Sequence, residues 1–362
     1  MKNDRNSRID TYWKLNTHFA YIDDAQLIST LANEGETLGW GKNQVLKIGG
    51  SKVFVKRVPI TDLEYKHMYS TKNLYGLPTY YNYGIRSAGF GVFREILMHI
   101  KTTNWVLQGS IDNFPLMYHY RILPRQSEKV RIDLQQHKQY MEYWNSNDNI
   151  ERYIVDRVNA NYEVALLLEH FTNGYSWFKN NIGQLNHTIR DMLKTITFLR
   201  KNGVIHFDIH FYNILTDRRK PYLTDFGLVL DRRFDLSDAE REFYNKHSYY
   251  DYGALLFYFG EFLMEFFFNL PKTKKKKIRQ KYGIKNDMQY EQFLVLLMEN
   301  IHEIYTDGIL ELDDNFVGSV MKYHPVIMFM AKFYKEIKQN NKKDTKFQHT
   351  KLKRLLVETG IF

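Results

Sequence analysis

Alternating apolar and polar residues mark three strands early in the chain, Thr37–Gly41, Gln44–Ile48 and Lys52–Val58. Gly49-Gly50 between the last two predicts a tight hairpin turn. Met117–Leu123 predicts a fourth strand, and the apolar run Val164–Phe171 a fifth, buried one that Thr172-Asn173-Gly174 ends. Helical spacing rules elsewhere. Residues 1–35 are polar, with one helix expected from Asp23-Asp24 through Leu31 under an aspartate cap. In Val92–Ile100 the residues Phe93, Ile96, Leu97 and Ile100 share a helix face. A polar helical insertion is expected over Ser127–Asp156. Gln184–Asn202 repeats Leu185, Ile189, Met192, Leu193, Ile196 and Leu199 at helical spacing and stops at Gly203. Ala254–Leu270 predicts a buried core helix, and Asn286–Tyr305 and Val326–Lys338 predict amphipathic ones.

Composition narrows the classes. Of 362 residues, 44% are hydrophobic and 25% charged, which suits a globular chain of one large domain or two smaller ones. Cysteine is absent, which excludes disulfides, thiolate zinc sites and a cysteine nucleophile. The Ala254–Leu270 run is short and interrupted by Gly260, Glu261 and Glu265, so no transmembrane segment is expected. The start, Met1-Lys2-Asn3-Asp4-Arg5, has no apolar stretch of the secretory kind. A net charge of +10 favours acidic partners such as nucleotides, nucleic acid or membrane surfaces. Much of that excess lies in two clusters, Lys272–Lys281 and Lys335–Arg354. Each reads either as a solvated helix face or as a docking surface for an acidic partner.

Candidate chemistry concentrates in Val204-Ile205-His206-Phe207-Asp208-Ile209-His210-Phe211-Tyr212-Asn213-Ile214-Leu215 and in Tyr222-Leu223-Thr224-Asp225-Phe226-Gly227. Two carboxylates and a carboxamide on tight turns suit Mg²⁺, a hard cation usually held by few protein oxygens plus phosphates. Lys56 lies between Phe54 and Val58 on one face of an alternating strand, which implies an inward ammonium that needs an anionic partner. Gly39 and Gly41 form a G-x-G, a pattern equally at home in an ordinary turn.

Together these motifs resemble the protein-kinase superfamily, with H-x-D-x-x-x-x-N at His206–Asn213, D-F-G at Asp225–Gly227 and a V-A-I-K-like lysine at Lys56. The resemblance covers about residues 37 to 270. It implies an α+β, two-lobed protein-kinase-like fold, with a β-rich N-lobe over 37–171 and a helical C-lobe over 172–362. Residues 1–36 would be an N-terminal extension. It implies ATP with Mg²⁺ or Mn²⁺, an acceptor hydroxyl on a protein or small molecule, and a cytoplasmic setting, a host's cytoplasm included. On that alignment Asp208 takes the acceptor proton, Asn213 and Asp225 hold the metal, and His206 steadies the loop. Lys56 meets the phosphates and pairs with Glu95, with Glu64 as competitor. Gly39 and Gly41 cover the phosphates. Leu168 is the gatekeeper, and Glu169 and Phe171 offer backbone contacts to adenine. Phe226 packs beneath the metal loop, and Tyr249-Tyr250-Asp251-Tyr252-Gly253 looks like a shortened start of the central helix.

Several features depart from the pattern. The third loop glycine is Gln44, and His210 replaces the lysine usual in serine/threonine kinases, as in aminoglycoside- and choline-type kinases. The run from Asp225 to Asp251 is short and lacks A-P-E, leaving little platform for a peptide, although Ser237, Tyr244 and Ser248 are candidate regulatory sites. Gly89-Phe90-Gly91 is an alternative anion site at a helix start. Three further readings stay open: a small-molecule kinase, a catalytically silent pseudokinase scaffold, and a metal hydrolase using His206-x-Asp208-x-His210 along a strand.

Overall fold

A computed structural model describes residues 2–32, 37–38, 41–125, 133–285, 287–310 and 312–362. The fold is α+β, and the chain divides into two compact units. Met1–Phe171 with Tyr222–Glu242 makes the first; Thr172–Pro221 with Phe243–Phe362 makes the second. The segment Tyr222–Glu242, placed by the 172–362 boundary with the helical part, clusters with the sheet-bearing unit instead.

The first unit opens with a helix that the polar pattern did not predict, α1 (Lys2–Tyr21), followed by α2 (Asp24–Leu31) with Asp23 capping the Gln26 amide. The antiparallel sheet contains β1 (Thr37–Leu38), β2 (Gly41–Ile48) and β3 (Ser51–Ile60). After α3 (Asp62–Lys66) come α4 (Val92–Leu107) and β4 (Met117–Pro124). The polar insertion forms α5 (Leu134–Tyr143) and α6 (Asp148–Val158), and β5 (Tyr162–Glu169) completes the sheet in the order β1-β2-β3-β5-β4. β5 is an interior strand whose stretch Val164–Leu168 is wholly apolar and buried, with Glu163 and Glu169 at either side of it. Val58, Ile60, Val164, Leu166 and Leu168 close one core with Val92, Phe93 and Ile96 of α4. The register pairs Lys56 with Leu166, so the lysine on β3 is fixed by pairing on both edges.

In the second unit, β6 (Thr172–Asn173) leads directly into α7 (Gly174–Lys179) and α8 (Leu185–Lys201). Gly203 then turns in the left-handed region into β7 (Val204–Ile205), and β8 (Ile214–Thr216) pairs back on β6. The chain then passes through β9 (Pro221–Leu223), β10 (Leu230–Asp231) and α9 (Asp238–Asn245), of which Tyr222–Glu242 belongs to the first unit, and the buried α10 (Tyr250–Asn269) forms the centre of the second unit's helical packing. The basic run is the helix α11 (Lys272–Lys281). The predicted Asn286–Tyr305 helix is two pieces, α12 (Tyr290–Glu299) and α13 (Ile301–Thr306), broken at Asn300, and Asn286 lies outside the described residues. α14 (Asp314–Gln339) runs through Pro325, and α15 (His349–Glu358) ends the helical set. Among the described residues, no helix is long and apolar enough to cross a membrane.

Candidate active site

The first unit assembles a charged triad. Lys56 Nζ lies 2.7 Å from Glu95 Oε1 and 3.0 Å from Asp225 Oδ1. Burial works against the Lys56 charge, but the carboxylates of Asp225 and Glu95 outweigh it and raise the ammonium's pKa. Burial lifts the Glu95 carboxyl, Lys56 opposes this, and the charge of Asp225 adds to the rise. Glu95 is buried because α4 turns it towards the sheet beside Phe93 and Ile96. Its competitor Glu64 does different work: it completes a capping box with Thr61 and accepts the Val92 amide at 2.9 Å. That carboxylate already serves the start of α4, so the Gly89–Gly91 turn is not an open anion site there.

The Asp225 loop is braced from the same unit. Asp225 has φ +64°, and the Gly227 amide reaches its Oδ1 at 3.4 Å. The Phe90 amide donates to the Gly227 carbonyl at 3.0 Å, and a Cβ on Gly89 would stand 3.1 Å from that oxygen. Phe226 is buried, with His99 edge-on at 4.8 Å and Phe114 beyond. Spacing alone missed two ion pairs that tie α4 to the segment after Gly227. Arg94 meets Glu240 at 2.7 Å with both side chains 1% exposed, and Lys101 meets Asp231.

The adenine-side candidates are only partly available. Leu168 is buried between Phe54 and Met117 in the sheet register. The Glu169 amide donates to the Leu116 carbonyl at 2.8 Å, so that N–H is not open to a base edge. Its carboxylate receives both Nε and Nη2 of Arg8 at 2.8 Å. The Phe171 ring stacks on Tyr222 at 3.8 Å. Gly41 begins β2 opposite Leu38, whereas Gly39 lies outside the described residues.

The second unit builds a closed loop. Asp251, in the first turn of α10, accepts the amides of His206 at 2.7 Å and Phe207 at 2.9 Å. These bonds hold Phe207 at φ +66°, with its ring against Phe243, His247 and Tyr250. His206 is buried, and its Nδ1 accepts the Asp208 amide at 3.3 Å, which leaves the ring proton on Nε2. Asn213 Nδ2 donates to the Asp208 carbonyl and to Asp208 Oδ2, both at 3.0 Å. His210 Nε2 stands 3.5 Å from Asp208 Oδ1. The strand that the metal-hydrolase reading needs is absent: β7 ends at Ile205, and the left-handed Phe207 destroys the alternation of His206, Asp208 and His210. Among the described residues, no group of three His, Asp or Glu side chains is placed to hold a metal. Asp251 was visible only as part of the Tyr249–Gly253 motif, and its role as the loop's anchor comes from the structure.

No family model matches the sequence. Over 112 residues it is 31% identical to a probable serine/threonine-protein kinase of Dictyostelium discoideum. That alignment covers 28% of this chain and 18% of the relative, so the chain matches less than a fifth of that protein's length. The similarity relates part of the chain to a kinase.

Proposed function

We propose that this chain is a phosphotransferase of two-lobed kinase-like fold, an atypical serine/threonine protein kinase that moves the γ-phosphate of ATP to a hydroxyl. The observation that carries the reading is the Lys56–Glu95–Asp225 triad, because an ammonium held between two carboxylates is poised to exchange one of them for phosphate oxygens. Lys56 would bind the nucleotide's phosphates while Glu95 keeps it aimed. Mg²⁺ would take a carboxylate oxygen of Asp225 in the first unit and, in the second, Oδ1 of Asn213, whose Nδ2 is committed to Asp208. When bound, the cation supplies neutralisation of phosphate charge. Asp208 would orient the acceptor hydroxyl and receive its proton as the oxygen–phosphorus bond forms and the bond to the ADP oxygen breaks. His206 would hold the Asp208 backbone through its ring.

The test is transfer from γ-labelled ATP with Mg²⁺ to the protein itself or to generic protein acceptors. Asp208→Asn should abolish transfer while nucleotide binding persists. Absence of nucleotide binding by the wild-type chain would overturn the enzyme reading and leave a silent scaffold. A small-molecule acceptor is the second reading, favoured by the short segment after Gly227. Its Ser237 hydroxyl already caps Glu240, whose side chain pairs with Arg94. Transfer only to small alcohols would select that reading.

A further inference from the structure

The basic run of the second unit folds as α11, and its sequence works against its own stability. No carboxylate occurs between Phe266 and Asn286. Elsewhere the chain neutralises helical cations one turn on, as with Lys138 and Glu142, Lys332 and Glu336, or Arg354 and Glu358. In α11 the neighbours at that spacing are like charges, because Lys272, Lys275, Lys276 and Arg279 stand on one helix face. Lysines also occupy the first turn, where the helix dipole disfavours cations, and Pro271 supplies no side-chain cap. Little holds the helix in place. Ile278 is its buried residue among those described, and Arg279 lies over the Phe267 and Phe293 rings. The same face lines an open groove of about 680 Å³, to which Lys285 returns after the Gly283 turn and in which Asp287 is the acidic residue. Lys281 is neutralised by Asp307 and Glu303, whereas among the described residues Lys272, Lys276 and Lys285 form no ion pair. Lys275 donates to the main-chain carbonyl of Phe268 at 2.9 Å.

We propose that α11 is a docking surface for a membrane that bears anionic phospholipid headgroups. Such a surface supplies the counter-charge that the helix lacks, and each lysine brought near it is worth about fivefold in binding. Two observations favour lipid over a nucleic-acid backbone. The groove carries mostly lysine, a point charge suited to a fluid array of headgroups, rather than the arginine fork that grips individual phosphates. Phe268, whose carbonyl Lys275 holds, is 45% exposed and sets an aromatic side chain beside the cations, where the interfacial layer of a bilayer takes it up. With cations around most of its circumference, α11 lies on the headgroups and does not enter the acyl layer. This docking does not depend on the phosphotransferase reading.

The test is co-sedimentation of the full chain with phosphatidylcholine vesicles, with and without about 30% phosphatidylserine, at about 0.1 M salt. Wild type should partition onto the anionic vesicles and not the neutral ones, and about 0.5 M salt should release it. Lys272→Gln, Lys275→Gln and Lys276→Gln together should weaken binding about 100-fold, at about fivefold per lysine. The helix should persist in that variant by circular dichroism, since neutralisation removes repulsion along its face. Lys342→Gln, Lys346→Gln and Lys351→Gln make the same change of net charge at exposed positions of the second basic cluster and should leave binding within about twofold. Phe268→Gln should weaken binding at least about threefold. Failure of wild type to bind the anionic vesicles overturns the proposal without any variant having to fold. Equal losses from the two triple variants also overturn it, because net charge alone would then draw the chain to the vesicle. Tighter binding to single-stranded RNA than to the vesicles at the same salt, lost in the α11 variant, would overturn the lipid and assign the surface to nucleic acid.

Discussion

Asp251 offers the sharpest test of how the loop is held. Its carboxylate is 4% exposed and is the acceptor for two buried amides, those of His206 and Phe207. Replacing it by alanine leaves both donors in an apolar surround, and each stranded amide costs about 1–3 kcal/mol. The same bonds restrain Phe207 in the left-handed region, a conformation that costs a bulky residue about 1–3 kcal/mol and persists only when its neighbours impose it. Asp251→Ala should therefore lower unfolding stability by about 2–6 kcal/mol, and Asp251→Asn, which keeps one acceptor oxygen, by roughly half of that. Denaturant titration with an unchanged slope is the appropriate measurement. An Asp251→Ala midpoint indistinguishable from wild type would refute the claim that these two bonds hold the loop.

The same residue predicts a pH dependence. Burial raises the Asp251 carboxyl to about 7, the charge of Asp208 adds to the rise, and the two amide donors oppose it. The folded value stands above the unfolded one, so the folded chain holds a proton that the unfolded chain gives up. Stability from this group is present below about pH 4 and is lost as pH rises towards about 7, by at most about 4 kcal/mol. Asp251→Asn cannot titrate there, so its stability should gain on wild type across that window. His247, held down to about 3 by burial, titrates in both proteins and cancels in the comparison. Parallel pH profiles for the two proteins would refute the assignment.

Other residues give independent tests. Lys56→Met or Glu95→Gln should cut ATP-dependent turnover by about 10²-fold or more while leaving the far-ultraviolet circular dichroism intact, since the triad serves charge placement rather than the sheet. Arg94→Ala strands the buried Glu240 carboxylate and should cost about 3–5 kcal/mol in chemical denaturation, with Glu240→Gln restoring part of that loss in the double variant. Gly174→Ala would put a Cβ 2.0 Å from the Ile214 carbonyl oxygen, so the β6–β8 pair must part. A loss of about 3 kcal/mol or more is expected, because backbone cannot yield as a side chain does, and a neutral result in thermal unfolding would refute that packing.

What was legible in the chain follows from how far each signal reaches. The strand carrying Lys56 declared itself because Phe54 and Val58 flank it at period two, and the α4 face because Phe93 and Ile96 recur at helical spacing. Helix α1 stayed hidden because polar groups do much of its anchoring. Arg8 reaches Glu169 and the Phe114 carbonyl, and Asn16 reaches the Tyr118 carbonyl, while Leu15 and Phe19 are its buried apolar residues among those described. Pairs such as Arg94 with Glu240 join residues far apart in sequence, and no local pattern encodes them. The helix expected over Val326–Lys338 begins much earlier, at Asp314. Proline usually ends a helix, yet α14 continues through it, and Met321, the residue whose carbonyl loses its partner, is 45% exposed and can be served by solvent. The loop at His206–Asn213 combines both cases. Its residue types suggest a chemistry, but its shape depends on Phe207 turning left-handed, and that turn is imposed from α10 by Asp251. A reader of the loop alone sees His206, Asp208 and His210 alternate as ligands on a strand would. The distant carboxylate rules out that arrangement, directing one histidine's ring to the Asp208 amide and setting the other beside the Asp208 carboxylate.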